Sequence, residues 1–256
     1  MPRFYVEPEY IKDKRVSISG ADARHIRTVL RLDRGDMIDI FDGSGREYAV
    51  LIETIGAAKV EGRIIGEKFV EAERLVEVTL FQGLPKASKM DLIIQKSTEL
   101  GVCRIVPMIT SRSIPDLDSK KKDLRISRWK RIAVEASKQS GRTKVPHVED
   151  ILKFSDAFAR EFDLKLIMWE SEREAKLKEV LGKCHVSAYP CRVGVFVGPE
   201  GGFTNEEIGQ ARYMGAIPVS MGPRILRTET AGMIATAILM YELEPSIKIR
   251  DHGSDN

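Results

Sequence analysis

The amino-acid sequence predicts an α/β chain in two parts: a small β-barrel at the N-terminus and a larger domain built around a mostly parallel sheet. Residues 1–70 contain five short runs typical of strands around a single helix, which is the pattern of a small barrel. From Leu75 onward, apolar runs of strand length alternate with helical segments, which is the pattern of a parallel α/β sheet. We place the domains at residues 1–72 and 73–246, followed by a polar tail at 247–256.

Size and composition exclude several classes of protein. The chain has 256 residues, of which 43% are hydrophobic and 31% charged. No apolar run reaches the ~18 residues that a membrane span needs, and the N-terminus lacks the apolar stretch of a signal peptide. The three cysteines, Cys103, Cys184 and Cys191, have no C-x-x-C spacing, which argues against a disulfide framework or a zinc site. We therefore expect a cytoplasmic protein with no membrane segment and no metal.

Positive charge is concentrated in one part of the chain. The net charge is only +3, but residues 104–144 hold 12 Lys and Arg against 4 Asp and Glu. A local basic block of this kind attracts phosphate groups even when the whole chain is nearly neutral. The alternative is that these side chains form only the solvated face of a helix, and the sequence leaves both open.

The first domain is expected to hold one helix among its strands. A hairpin turn is predicted at residues 42–45, where glycines supply positive φ angles. Asp22 is predicted to cap a helix over residues 23–31, on which Arg24, Arg27 and Arg31 share one face, with His25 among them. Such a face either binds RNA phosphates or is simply solvated. The predicted strands lie at 3–6, 15–19, 37–41, 48–55 and 60–68.

The second domain alternates strands with helices. Ser88 is predicted to cap a helix that ends at Gly101, and Thr204 with Glu207 has the spacing of a capping box. Gly215 is predicted to end the helix that this box starts. The predicted strands lie at 76–82, 102–109, 164–169, 193–197 and 217–221, and the predicted helices at 88–100, 124–140, 173–181, 204–214 and 228–243.

Two loops that follow strands are candidates for a ligand site. Residues 198–202 (GPEGG) follow one strand and residues 221–230 (MGPRILRTET) follow the next. In an open α/β sheet, ligands bind at the carboxyl ends of the strands, and glycines let them approach the backbone. The glycines are equally suited to a tight strand-to-helix turn. Neither loop is a phosphate-binding P-loop, because no Gly-Lys-Ser/Thr is present.

The segments on either side of these loops extend the pattern. Residues 231–240 are small and apolar on every side, which is typical of a helix in the interior or at a subunit contact.

GPEGGFTNEE and MGPRILRTETA together resemble the two signature loops of the SPOUT methyltransferases of the RsmE type. ARHIRTVLR, KMDLIIQKSTELGVCRIVP, TSRS and VEASKQSGR resemble further blocks of that family in the same order. Met221 stands where the family pattern has leucine, a change that nearly conserves volume.

The resemblance implies a fold and an activity. It implies a PUA-like RNA-binding barrel at residues 1–72 and a SPOUT domain at 73–246 whose last segment is threaded into a trefoil knot, an exception to the rule against knots. It implies methylation of N3 of a uridine in small-subunit (16S) ribosomal RNA with S-adenosyl-L-methionine as the methyl donor. It also implies a homodimer with the final helix at the interface. The rival interpretation is a non-catalytic RNA-binding or assembly factor that has lost its cofactor.

The same resemblance implies roles for individual residues. Arg227 would stabilise negative charge on the uracil oxygens, and Glu229 would take the N3 proton or orient the arginine. The alternative for this pair is a salt bridge that only shapes the loop. The residues implied to bind the cofactor are Trp169, Val197, Gly198, Pro199, Glu200, Gly201, Gly202, Met221, Gly222, Ile225, Leu226 and Thr228. Those implied to bind RNA are Arg24, His25, Arg27, Arg31, Arg112 and Arg142.

Overall fold

The computed structural model describes residues 1–69, 75–86, 88–113, 119–184 and 190–243. Two separate β-sheets, one of six strands and one of seven, divide these residues into an N-terminal and a C-terminal part. The domain boundary predicted at residue 72 and the polar tail predicted at 247–256 lie outside the described residues.

The N-terminal sheet contains every strand that the sequence predicts and one short strand more. Its strands are β1 (Arg3–Tyr5), β2 (Ile11–Lys12), β3 (Arg15–Ser19), β4 (Met37–Phe41), β5 (Arg46–Ile55) and β6 (Lys59–Phe69). They lie in the order β1-β4-β5-β6-β3-β2, and only the β1–β4 pair is parallel. Alternate residues point into an apolar core that includes Ile26, Ile38, Val50 and Ile52. Two register shifts between β5 and β6 increase the bend of this ribbon.

The predicted helix of this domain is present but has a different cap and a different pitch. Helix α1 spans Gly20–Arg24 and continues as a wider π-helical turn over His25–Leu30. Ser19, and not Asp22, is the N-cap residue. Asp22 lies inside the first turn, where its carboxylate pairs with Lys138 at 3.0 Å. The prediction for Asp22 was wrong because the sequence does not show the distant lysine that competes for this carboxylate.

The C-terminal sheet is entirely parallel, as the strand–helix alternation predicts. Its strands lie in the order β10-β8-β7-β12-β11-β13, with β9 also paired to β8. They are β7 (Val76–Gly83), β8 (Arg104–Ile109), β9 (His147–Val148), β10 (Leu152–Lys153), β11 (Leu164–Met168), β12 (Cys191–Val197) and β13 (Ile217–Val219). The helices are α2 (Lys89–Glu99), α3 (Ser119–Ser140), α4 (Phe154–Phe158), α5 (Leu177–Gly182), α6 (Asn205–Tyr213) and α7 (Thr228–Leu243).

Two layers of helices cover this sheet. Helices α2, α3 and α7 supply one apolar cluster, into which Leu80 of β7 points. The next residue of the same strand, Phe81, points to the opposite face, where α4 and α6 pack. There Phe81 stacks on Phe196 of β12 at 4.3 Å between ring centroids, and Phe196 stacks on Phe158 at 3.9 Å. Burial on both faces explains why these strands are continuously apolar.

One helix begins later than the sequence predicts. Helix α5 starts at Leu177, although its pattern predicts a start at residue 173. The Glu172 carboxylate accepts the backbone N–H groups of Arg173, Glu174 and Ala175, at 3.0, 2.9 and 3.3 Å. These side-chain bonds offer the backbone a turn in place of the first helical turn.

Helix α7 has the bounds that the sequence predicts and packs against β7, β12 and α2. Ala231, Ala235 and Leu239 are buried, whereas Ile234 and Tyr241 are exposed. The trefoil knot implied by the resemblance stays a prediction. Within the described ranges, no helix combines the length and the apolar character needed to cross a membrane.

Candidate cofactor and active site

The two loops that the sequence singles out meet in one cavity. Residues 198–202, the glycine loop, follow β12, and residues 220–227, the arginine loop, follow β13. Together with the start of α7 they line a cavity of about 570 Å³, a size within the range of small-molecule sites. All twelve residues implied to bind a cofactor line it, and so does Arg227. The cavity lies at the carboxyl ends of parallel strands, as expected for an α/β sheet.

The glycine loop is a tight turn that favours glycine at two positions. Gly202 has a φ of +67°, and its N–H donates to Pro199 O at 2.9 Å. A Cβ atom at Gly202 would lie 2.5 Å from Glu170 Oε1, and one at Gly198 would lie 3.0 Å from the backbone carbonyl carbon of Gly202. The tight-turn interpretation is therefore confirmed. The same geometry leaves the backbone of the loop on the cavity wall. A tight turn and a ligand site are therefore compatible interpretations of these glycines.

The side chain of Arg112 supports the glycine loop from outside the cavity. Its Nη1 donates to Gly201 O at 2.5 Å and to Phe203 O at 3.3 Å. The loop then enters α6 through the predicted capping box, in which Glu207 N donates to Thr204 Oγ1 at 3.2 Å and Thr204 N donates to Glu207 Oε2 at 2.9 Å. Arg112 thus holds a loop that the sequence assigns to the cofactor, and its contact with RNA stays a prediction.

A buried polar contact that sequence reasoning missed joins both loops to the sheet. Gln82, at the end of β7, is fully buried, and its Nε2 donates to Thr228 Oγ1 at 2.8 Å. Thr228 Oγ1 in turn donates to Gly198 O at 2.5 Å. The only signal in the sequence is a polar residue at the end of an apolar strand. Because buried polar groups are costly unless they are paired, this contact makes the loop positions depend on one another.

The two candidate catalytic residues do not pair with each other. Arg227 is exposed on the cavity wall. The side chain of Glu229 is only 13% exposed, and its Oε2 lies 3.3 Å from Lys89 Nζ at the start of α2. Among the ion pairs of the described residues, none joins Arg227 to Glu229. The structure thus contradicts a loop shaped by an Arg227–Glu229 salt bridge, and it leaves Arg227 as an exposed residue of the cavity wall.

Glu200 of the glycine loop is tied to the loop that precedes α2. Its carboxylate accepts the N–H of Lys86 at 3.0 Å and lies 3.0 Å from Lys89 Nζ. Partial burial acts to raise the pKa of Glu200, but its own backbone N–H, the Lys89 ammonium and the Lys86 N–H together lower that pKa below its usual value. Glu200 is therefore an anion at neutral pH.

Four of the residues implied to bind RNA lie on the first helix and its extension. Arg24, His25, Arg27 and Arg31 are all exposed. Arg27 is partly engaged, since its Nη1 donates to Ala57 O at 2.7 Å. The π-helical turn and the positive φ of Arg31, +53°, change the spacing of these side chains from that of a regular α-helix. The three arginines remain exposed, so this segment still offers positive charge to solvent.

The burial of Arg142 contradicts the prediction that it contacts RNA. Arg142 is only 7% exposed, and its Nη1 donates to Thr98 O and Val102 O at 2.8 Å each. Carbonyl groups at the C-terminal end of a helix lack partners within the helix. The Arg142 guanidinium donates to one such carbonyl at the end of α2, Thr98 O, and to Val102 O just after it. Its own carbonyl accepts a bond of 2.8 Å from Arg3 Nη2 of the N-terminal domain. The side chain of Arg142 therefore has a structural role within the C-terminal domain, and its backbone carbonyl accepts a bond from the N-terminal domain.

The arrangement carries no sign of metal chemistry in the part of the chain that is described. No disulfide joins Cys103, Cys184 and Cys191, and no three His, Cys, Asp or Glu side chains of the described ranges form a metal-binding group. What the cavity offers is backbone polar groups, apolar walls and a few charged side chains, which suits an organic ligand.

Comparison with known protein families agrees with this geometry. A model described as an RNA methyltransferase PUA domain matches residues 18–65, and one described as an RNA methyltransferase domain matches residues 72–240. Ribosomal RNA small subunit methyltransferase E of Bacillus subtilis (strain 168) is 33% identical over 250 residues, covering 95% of this chain and 98% of that protein. The protein of the same name from Synechocystis sp. is 32% identical and covers 94% of this chain and 78% of its own length.

A solved structure gives the same result. The crystal structure of a ribosomal RNA small subunit methyltransferase E from Neisseria gonorrhoeae, bound to S-adenosyl methionine, superposes with a TM-score of 0.82. It is 34% identical in sequence and covers 94% of this chain and 97% of its own. Since the match spans nearly the whole chain in sequence and in structure, this chain belongs to the family of RNA methyltransferases that includes ribosomal RNA small subunit methyltransferase E.

Proposed function

We propose that this chain transfers the methyl group of S-adenosyl-L-methionine to N3 of a uridine in small-subunit (16S) ribosomal RNA. The observation that carries the proposal is the single cavity in which the glycine loop, the arginine loop and Arg227 come together. Family membership supports the donor and the class of RNA, and the resemblance of the signature loops supports uridine N3 as the target.

The residues of the cavity fit the proposed donor. Its walls combine apolar side chains, such as Trp169, Val197 and Leu226, with the backbone of the glycine loop. A Cβ at Gly198 would press on the backbone of Gly202, and the positive φ of Gly202 disfavours any side chain there. When bound, the donor supplies a methyl group attached to a positively charged sulfur. The chain itself would hold and orient this group, and correct orientation contributes several of the ~7–11 kcal/mol available from positioning.

Two charged residues are proposed to act on the uracil ring. N3 of uridine carries a proton that must leave, so negative charge develops on the neighbouring carbonyl oxygens. Arg227, which lines the cavity and forms no ion pair with Glu229, would stabilise that charge by charge-assisted hydrogen bonds from its guanidinium. Glu229 would take the proton or orient a cation beside it. Of these two roles for Glu229, its ion pair with Lys89 supports the second, the orientation of a cation.

The other partners are proposed on separate grounds. Arg24, His25, Arg27 and Arg31 would contact RNA phosphates, because they are exposed cationic or titratable side chains on one side of the PUA domain. A homodimer formed through α7 would cover the exposed Ile234 and Tyr241. We propose that the protein acts in the cytoplasm, where ribosomal RNA would be its substrate.

The experiment is methylation of small-subunit ribosomal RNA in vitro, with nucleosides separated and identified by mass spectrometry. Free RNA and the assembled subunit are tested side by side. We expect 3-methyluridine with the wild-type protein and a loss of about 100-fold in kcat for Arg227→Ala, the usual result of removing a group that stabilises developing charge. Arg192→Ala is the matched control, because Arg192 is an exposed arginine paired with Asp163 near the opposite edge of the sheet.

Two outcomes would contradict the proposal. Full activity of Arg227→Ala at saturating RNA would remove the role assigned to that residue. Absence of S-adenosylmethionine binding at millimolar concentration, measured by calorimetry, would favour the rival interpretation of a non-catalytic RNA-binding factor.

A further inference from the structure

Lys89 stands where three functional segments meet. It is the first residue of α2, and its Nζ lies 3.0 Å from Glu200 Oε1 of the glycine loop and 3.3 Å from Glu229 Oε2 of α7. Its side chain is 33% exposed and lines the same cavity as Arg227. Neither the sequence patterns nor the proposed function assigns it a role. A lysine that links two loop carboxylates beside a cavity is therefore an unexplained cation at the site.

The geometry suits a cation held toward the cavity. An ammonium group has three N–H donors, and two carboxylates occupy only two directions around Nζ. A third N–H is therefore available, and the Lys89 side chain is partly exposed. Lys89 and Glu200 line the cavity, whereas Glu229 is not among the described residues that line it. The two carboxylates thus hold the ammonium beside the cavity, where it can donate to a substrate.

The surrounding charges keep this group protonated. The hydrogen bond with Glu200 has the largest effect and, together with the smaller effect of Glu229, raises the pKa of Lys89 above the usual lysine value. Besides these two carboxylates, the charged side chains around the cavity are Glu170, Arg173, Arg224 and Arg227. None of these four forms an ion pair with Lys89 in the described structure. Lys89 therefore remains a cation at neutral pH and is unsuited to act as a base.

We propose that Lys89 is a further catalytic residue: its ammonium donates to a uracil carbonyl oxygen next to N3 and stabilises the negative charge that develops as N3 loses its proton. The proposal rests on the proposed function, and Arg227 would act on the same charge from the other loop. The N3 proton passes to solvent water or hydroxide, because the ammonium is already fully protonated. The N–CH3 bond then forms as the S–CH3 bond of the donor breaks, and the donor leaves as S-adenosylhomocysteine. Glu200 and Glu229 act through Lys89 as positioning residues.

The test compares steady-state methylation and cofactor binding for Lys89→Met, Lys89→Arg and wild type. Lys96→Met is the control. Lys96 lies on the same helix but does not line the cavity, and its Nζ lies 2.8 Å from Glu99 Oε2. We expect Lys89→Met to lower kcat about 100-fold, with the dissociation constant for S-adenosylmethionine changed less than about threefold. Lys89→Arg should recover part of the loss, and Lys96→Met should behave as wild type.

The pH profile separates catalysis from a structural role. If the ammonium stabilises the deprotonated uracil ring, kcat of Lys89→Met should keep rising at alkaline pH where the wild-type value is already level. Lys89→Gln, which keeps an N–H donor without charge, should show the same change and covers the case in which Lys89→Met fails to fold. An unchanged kcat, an unchanged profile, or a loss confined to cofactor affinity would each overturn the proposal. If instead the wild-type protein forms no 3-methyluridine, the proposed function itself has failed.

Discussion

Gly83 provides the sharpest steric test of how the site is held together. It is the last residue of β7, and the glycine loop packs directly against its backbone. In Gly83→Ala the new Cβ would lie 2.6 Å from Pro199 Cδ, 2.7 Å from Pro199 N and 3.0 Å from Gly198 C. Because carbon atoms in contact are separated by about 3.5 Å, the loop would have to retreat by roughly 0.8 Å. Most of the atoms in the way are backbone, so side-chain rotation cannot relieve the clash.

A displacement of that size is large for a ligand site. Misplacement by about 1 Å can cost about 100-fold in rate, and overpacking a core typically costs about 1–3 kcal/mol of stability. We therefore expect Gly83→Ala to weaken S-adenosylmethionine binding at least about 10-fold, which corresponds to about 1.4 kcal/mol, and to lower Tm by a few degrees. Calorimetric titration and thermal melting measure the two effects.

The matched control for this substitution is Gly209→Ala in α6. A Cβ at Gly209 meets no atom within 4 Å, and the residue is exposed in a helix interior. This variant should be stabilised by up to about 1 kcal/mol and should bind the cofactor normally. If Gly83→Ala bound S-adenosylmethionine with wild-type affinity, the contact between β7 and the glycine loop would not determine the geometry of the site.

Three further predictions follow from single contacts. Thr228→Val removes the hydroxyl that accepts from buried Gln82 and donates to Gly198 O, and it should cost about 1–3 kcal/mol in chemical denaturation; a cost near zero would mean that the other two acceptors of Gln82 Nε2, Gly83 O and Gly198 O, are sufficient. Arg112→Ala removes the support of the glycine loop and should raise the cofactor Kd, measured by calorimetry, with little change in Tm; an unchanged Kd would contradict this role. Burial acts to raise the pKa of Glu149, but Arg160 and Arg104 lower it below 4.5, so this carboxylate stabilises the fold above that pH and loses its contribution as pH falls through the lowered pKa. The Tm deficit of Arg160→Gln should therefore be largest at neutral pH and shrink below about pH 4, and a deficit independent of pH would refute the argument.

The sequence predicts those features of the site whose residues are neighbours in the chain. The glycine loop and the arginine loop each combine turn chemistry with an adjacent strand, and both lie where the α/β pattern places them. The capping box at Thr204 is of the same kind, because both partners lie within one helical turn. Such features depend on neighbours in the chain, and the order of strands and helices then brings the two loops to one edge of the sheet.

The parts that the sequence does not predict depend on partners far apart in the chain. Gln82, Gly83 and Lys89 contribute through contacts with the two loops more than a hundred residues away. None of them belongs to a local pattern that separates it from an ordinary strand or helix residue. Their roles appear only when β7 and α2 are packed beside β12 and α7.

The two errors among charged residues have the same origin. The acidic Asp22 fits a helix cap, and Arg142 fits a basic surface block, when each is judged only by its neighbours in the chain. In the fold, Asp22 pairs with Lys138, and Arg142 donates to two backbone carbonyls at and just after the end of α2. A charged side chain takes the partner that tertiary packing offers, and that partner is invisible in a local window.

A crystal structure of this chain with S-adenosyl-L-methionine would show whether the two loops form the donor site. We expect the donor in the cavity between residues 198–202 and 220–228, held mainly by backbone groups, with its methyl group on the side of Arg227 and Lys89. Density for the donor at any other surface, with both loops unchanged, would refute the assignment of this cavity.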